Sequence, residues 1–162
     1  MVSISVSGIG SAAPTRGSAI SGRKCAAAAL LVLLLPAAAP TSSLELSFEN
    51  LRSHKGVLRV CLAPDAKNFP DCKDKARTLA RSLPATGAPM RFEGIPQGDW
   101  AVSALHDENG NGKLDTMAGI PREGFGFSRN PAIGFGAPGF AATRFAVAVD
   151  PARQRIRMRY LF

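Results

Sequence analysis

The sequence predicts an all-β domain, a single antiparallel β-sandwich of about seven strands. Short apolar stretches alternate with polar residues at a two-residue period, Gly and Pro recur between them, and little of the chain shows a helical period.

The first 39 residues stand apart from that fold. Arg16, Arg23 and Lys24 precede an apolar run from Cys25 to Leu35, and small residues follow at Pro36 to Ala39. A basic region, a short apolar core and an Ala-rich exit read as a secretory signal peptide over 1–39, with cleavage between Ala38 and Ser43. The run falls short of the roughly 20 residues a spanning helix needs. An uncleaved N-terminal anchor is the other reading of this segment. Lys24 directly before Cys25 argues against a lipid anchor there.

Residues 40–162 then have the size of one domain. Removing the three basic residues of the leader leaves seventeen basic against twelve acidic residues. That balance favours anionic partners in general. An envelope polymer, an anionic lipid or a protein fits it, whereas export argues against nucleic acid. The expected compartment is the periplasm or the medium, and the mature part holds no transmembrane span.

Each element has its own signal. Leu44, Leu46 and Phe48 alternate with Glu45 and Ser47 as a half-buried strand does, and Gly56 opens a second strand over Val57 to Leu62. Pro64 to Asp74 is polar and turn-rich. Cys61 and Cys72 flank it, and in an oxidising compartment they are expected to pair; two lone thiols or a metal site are the alternatives. Asp74 to Leu83 reads two ways, as a short helix carrying Ala76, Leu79, Ala80 and Leu83 on one face or as an irregular strand. After a loop at Pro84 to Pro89, Met90 to Glu93 and Trp100 to His106 read as a strand and its return around Pro96 and Gly98. Gly124 to Phe140 reads as a long loop. Thr143 to Val149 and Arg153 to Phe162 close the fold, with a turn at Asp150-Pro151.

The segment His106 to Ser128 carries the densest chemistry. Asp107, Asn109 and Asn111 place side-chain oxygens at alternate positions before Gly112, and Asp115 follows. With the Lys113 carbonyl, that spacing suits a loop wrapped around Ca²⁺. Ala118 stands where a helix-loop-helix calcium site places its bidentate Glu, so affinity would be weak unless Glu123 folds back. The competing reading is a metal-free turn in which Asn and Asp side chains accept backbone N–H groups while Gly110 and Gly112 take positive φ.

Around this loop, His106, Arg122, Glu123, Phe125, Phe127 and Arg129 form a candidate ligand surface. The phenylalanines from Phe125 to Phe140 serve either a satellite core or a partner or glycan surface. His106 ends the face of Trp100, Val102 and Ala104, either as a rim histidine or as a catalytic or ligand group. A small hydrolase would use it with Glu108 or Glu123. Arg153, Arg155, Arg157 and Arg159 line one face of the last strand, as a solvated ladder that discourages edge pairing or as a contact for lipid phosphates.

Two resemblances follow. Phe92, Gly94, Ile95, Pro96, Gly98, Trp100 and Val102 resemble the strand-turn-strand signature of transthyretin-like and carboxypeptidase-regulatory-like β-sandwiches, which implies an immunoglobulin-like arrangement. HDENGNGKLD at His106 to Asp115 with GIPREGFGFS at Gly119 to Ser128 resembles the exported bacterial family called domain of unknown function 2141. That likeness implies fold and export, and it brings no catalytic residue or ligand. The expected role is a non-catalytic binding or structural module of the envelope.

Overall fold

The computed structural model describes residues 40–162, and the proposed signal peptide lies outside the described residues. Ten strands and one short helix follow in order: β1 Thr41–Glu49, β2 Val57–Ala63, β3 Leu79–Pro84, β4 Met90–Pro96, β5 Gly98–Asp107, β6 Thr116–Met117, β7 Ile120–Pro121, β8 Gly124–Phe127, α1 Phe140–Thr143, β9 Phe145–Val147 and β10 Ala152–Arg157. One sheet runs β10-β1-β4 and a second β3-β2-β5-β8, with β9 paired to the start of β5. The result is an all-β, sandwich-like arrangement.

Two-residue alternation builds the core. Leu44, Leu46 and Phe48 of β1 meet Met90 and Phe92 of β4 and Ile156 of β10 on one side. Leu58, Val60 and Leu62 of β2, with Trp100, Val102 and Ala104 of β5, close against them from the other sheet. Burying side chains of this size contributes about 1.5–3 kcal/mol each. A smaller cluster, Phe69, Ala101, Phe127 and the Cys61 side chain, lies on the opposite face of the second sheet. The Cys61–Cys72 disulfide ties β2 to the turn-rich segment, with the two Cα atoms 5.6 Å apart.

Several expectations need correcting. No helix forms over 74–83: Thr78 closes a single turn on the Asp74 carbonyl, and Leu79–Pro84 pairs with β2 instead. Of the four residues of the proposed helical face, Ala76, Leu79 and Ala80 are exposed and only Leu83 packs against the core, from the strand. β4 and β5 are not a hairpin, because β4 pairs β1 and β5 pairs β2. The Gly94–Gly98 stretch is a corner between sheets, held where the Trp100 indole donates to the Pro96 carbonyl at 2.9 Å.

The sheets are not wholly antiparallel either. β10 runs parallel to β1, from Leu44↔Ala152 to Glu49↔Arg157. A parallel pair needs a long crossover, and here the chain between the two strands passes through the opposite sheet. Gly124–Phe127, expected as loop, is β8 and pairs with β5. Thr143, expected to open a strand, ends α1, where its hydroxyl bonds back to the Phe140 carbonyl at 3.0 Å. Beyond β10 the chain crosses to β8, and Arg159 and Phe125 exchange two backbone hydrogen bonds.

Candidate functional site

β5 delivers two consecutive side chains to opposite faces, and both are fully buried. His106 points into the inter-sheet side, and Asp107 points under the acidic loop. The His106 Nε2 lies 2.8 Å from the Lys55 carbonyl and Nδ1 lies 2.7 Å from the Tyr160 hydroxyl. A carbonyl only accepts, so Nε2 carries a hydrogen, and in that neutral tautomer Nδ1 accepts a hydrogen bond from the Tyr160 hydroxyl. The Arg52 backbone N–H in turn donates to the Tyr160 oxygen at 3.3 Å. Burial and the nearby Glu108 push the Tyr160 hydroxyl above its ordinary range despite that bond, so it stays a donor. His106 is therefore a buried structural link and not a rim group. Meeting a substrate would require Tyr160 to leave.

Arg52 gathers the surrounding segments. Its guanidinium binds Glu108, the Arg122 carbonyl at 2.9 Å and the Phe162 main-chain oxygen at 2.6 Å, and stacks 4.5 Å over the Tyr160 ring. Hydrogen bonding to Arg52, reinforced by the Ser53 hydroxyl at 2.8 Å, holds the Glu108 carboxyl below the usual carboxylate range against burial.

The acidic loop is locked in a related way. Asp107 Oδ1 accepts the Asn111 N–H at 3.0 Å; Oδ2 accepts the Gly112 N–H at 2.8 Å and Arg59 Nε at 2.6 Å. Burial works to raise the Asp107 pKa, and these donors together with the Arg59 charge more than offset it, leaving the carboxyl below its ordinary value. Asn109 and Asn111 donate their amides to the two oxygens of Asp115, at 2.6 and 2.9 Å. Their own oxygens accept the N–H groups of Asn111 and Lys113. Gly110 and Gly112 take φ of 72° and 83°, as tight turns of this kind demand. Glu123 does fold back: nearly buried, it accepts the N–H groups of Glu108 at 3.1 Å and Asp115 at 3.0 Å. Among the described residues no three His, Cys, Asp or Glu side chains are grouped as a metal site would have them.

The proposed ligand surface divides. Phe125 and Phe127 face outward from β8 into a cleft of about 690 Å³ on the outer face of the second sheet. Arg129, in a left-handed conformation with φ 62°, lines a separate hollow with Asp99 and Arg144. Arg122 is exposed, and its carbonyl is what Arg52 uses. The aromatics mostly serve the satellite core, where Phe69, Phe127 and Phe140 pack at centroid distances of 6.0 and 6.3 Å. Phe135 is the exception, fully exposed at its loop tip.

That cleft is the site the sequence did not announce. Its floor crosses four strands, with Ser82 on β3, Arg59 and Cys61 on β2, Ser103 and Leu105 on β5, and the two phenylalanines on β8. Leu114, Ile133 and Leu161 stand around it, and Leu114 and Leu161 are 42 % and 53 % exposed. A model of the bacterial family described as "uncharacterized protein conserved in bacteria" (DUF2141) matches residues 46–155. The chain belongs to this family. The DUF2141 match runs from β1 into β10, so it takes in both sheets, the acidic loop and the cleft floor. No curated protein and no solved structure matches the chain. Among the described residues no helix is long and apolar enough to cross a membrane.

Alternation alone could have found Arg59. A charge inside the otherwise apolar run Val57 to Ala63 sits on the same face as Cys61, two residues away, and β-strand parity sends both outward.

Proposed function

We propose that this DUF2141 domain is an exported, non-catalytic binding module whose ligand lies in the cleft over the outer face of the second sheet. One observation carries the reading: apolar side chains remain exposed around a concave surface, Leu114 and Leu161 among them, while no buried polar side-chain atom among the described residues lacks a partner. Exposed apolar groups gathered around a concavity of this volume mark ligand sites more often than accident. The disulfide supports export, since such bonds persist in oxidising compartments. Kinship with immunoglobulin-like and transthyretin-like sandwiches is part of the same reading, supported by two sheets that share one core.

The acidic loop, on this view, is a stiff wall of the cleft. Calcium is its conditional ligand: Asn109 and Asn111 already converge on Asp115, but a cation at Asp107 must first displace the Arg59 guanidinium. Native mass spectrometry of protein recovered from a bacterial envelope tests the binding reading. The intact protein is expected to retain a small-molecule adduct that Leu105→Asp loses. Equal adducts on both, or none on either, would count against the cleft.

A further inference from the structure

The cleft's own chemistry says what class of molecule would fill it. Its floor is the face of a sheet: the main-chain groups of the central strands β2 and β5 are spent on the β2–β3, β2–β5 and β5–β8 ladders, and the open groups of the edge strand β3 point sideways along the rim and not up at a ligand lying on the face. The side chains offer little more: the Ser103 hydroxyl donates to the Pro70 carbonyl at 2.5 Å, which leaves the exposed Ser82 hydroxyl at the β3 margin. No buried side-chain nitrogen or oxygen among the described residues lacks a partner. A peptide laid on this surface would bury its own N–H and C=O groups without answer, at a cost of about 1–3 kcal/mol for each group left unpaired. A hydrocarbon chain has no such groups to satisfy.

One margin differs from the rest. Arg59 gives only its Nε to Asp107, and its two terminal nitrogens make no further hydrogen bond among the described residues. Lys113 lines the same cleft beside Gly112 and forms no ion pair with any described residue. The acid that also lines the cleft, Asp71, has Lys73 at 3.8 Å. The cleft thus joins a hydrocarbon-compatible body to a margin where Lys113 carries an unpaired charge and Arg59, its charge shared with Asp107, keeps two terminal nitrogens free to donate.

Resting on the binding reading above, we infer that the cleft takes the single alkyl chain of an anionic amphiphile, with a carboxylate head at Lys113 and Arg59. Four neighbouring strands span roughly 14 Å between the outer two. Carbon–carbon bonds of about 1.5 Å advance an extended chain by roughly 1.25 Å per carbon, so about a dozen carbons cross that width.

Titration calorimetry of the full-length protein with dodecanoate, below its micellar concentration, tests the inference. Saturable one-to-one binding with a negative heat-capacity change is expected. Lys113→Glu, at an exposed position, should weaken dodecanoate about three- to tenfold while leaving dodecan-1-ol unchanged. Leu105→Asp should abolish both, with Ile133→Asp on the facing loop as a second variant should the first fail to fold. Binding of dodecyltrimethylammonium or an apolar hexapeptide in place of dodecanoate, still lost in Leu105→Asp, would overturn the ligand class and leave the cleft intact as a site. Absence of binding by every probe, or binding indifferent to both floor variants, would overturn the cleft as well.

Discussion

The Tyr160 hydroxyl meets Nδ1 of His106 at 2.7 Å because β8 carries no side chain at Gly124. Gly124 lies directly opposite His106 in the β5–β8 register, and a Cβ built there would overlap the Tyr160 ring. Gly126 leaves the same kind of room for Ile156. The Gly-Phe-Gly-Phe alternation of β8 therefore has two faces: glycines admit the C-terminal segment on the inside while phenylalanines floor the cleft outside. Tyr160→Phe should cost about 1–3 kcal/mol by leaving a buried imidazole nitrogen unpaired. Gly124→Ala should cost about as much or more by overpacking. Urea midpoints of the two variants check both values.

Acid stability should follow Asp107 and Glu108. Both carboxyls have folded-state pKa values below their ordinary range, so their contribution is complete above roughly pH 5, begins to fall as pH drops through the ordinary carboxylate values and is lost through the lowered ones. Asp107→Asn should be less stable than the native protein at pH 7 and should show a flatter decline below pH 4. Chemical denaturation between pH 2 and 7 measures the slope. An unchanged slope would mean that the Arg59 pair does not stabilise the fold.

Arg59 also decides how the loop treats calcium. With Asp107 neutralised, little response is expected at Ca²⁺ concentrations up to about 1 mM, the upper range for extracellular sites. Arg59→Met frees the carboxylate at an expected loss of about 1–3 kcal/mol, discounted because the arginine is part-exposed. That variant should then gain melting temperature on adding Ca²⁺, and Arg59→Met with Asp115→Asn should not. Stabilisation of the native protein by sub-millimolar Ca²⁺ would mean that the cation displaces Arg59.

Reduction of the Cys61–Cys72 bridge should remove about 3 kcal/mol, the value chain entropy assigns to an 11-residue separation. Pro70, Asp71 and Cys72 border the cleft, so reduction should also weaken whatever binds there. Denaturant midpoints with and without reductant separate the stability effect, and a parallel titration reads the second.

Strand alternation was legible wherever one face met the core, as at Leu44, Leu46 and Phe48 or at Trp100, Val102 and Ala104. It failed at β3, which is exposed along most of its length and holds its place by pairing with β2. No local pattern reveals that a turn such as Gly94–Gly98 changes sheets, or that the last strand runs parallel to the first, since both depend on which distant strand is the hydrogen-bonding partner. The acidic loop's oxygen spacing was readable; its occupant at Asp107 was not, because Arg59 lies 48 residues away along the chain. His106 looked like a loop-rim group for the same reason, its partners Lys55 and Tyr160 being 51 and 54 residues distant.

The most direct measurement is a two-dimensional NMR map of the protein as dodecanoate is added. The account predicts shifts concentrated at Leu105, Phe125, Phe127, Lys113 and Ile133, with the Glu45, Glu49, Arg153 and Arg155 ladder of the other sheet undisturbed. Shifts centred on that ladder, or none at the cleft under saturating ligand, would contradict it.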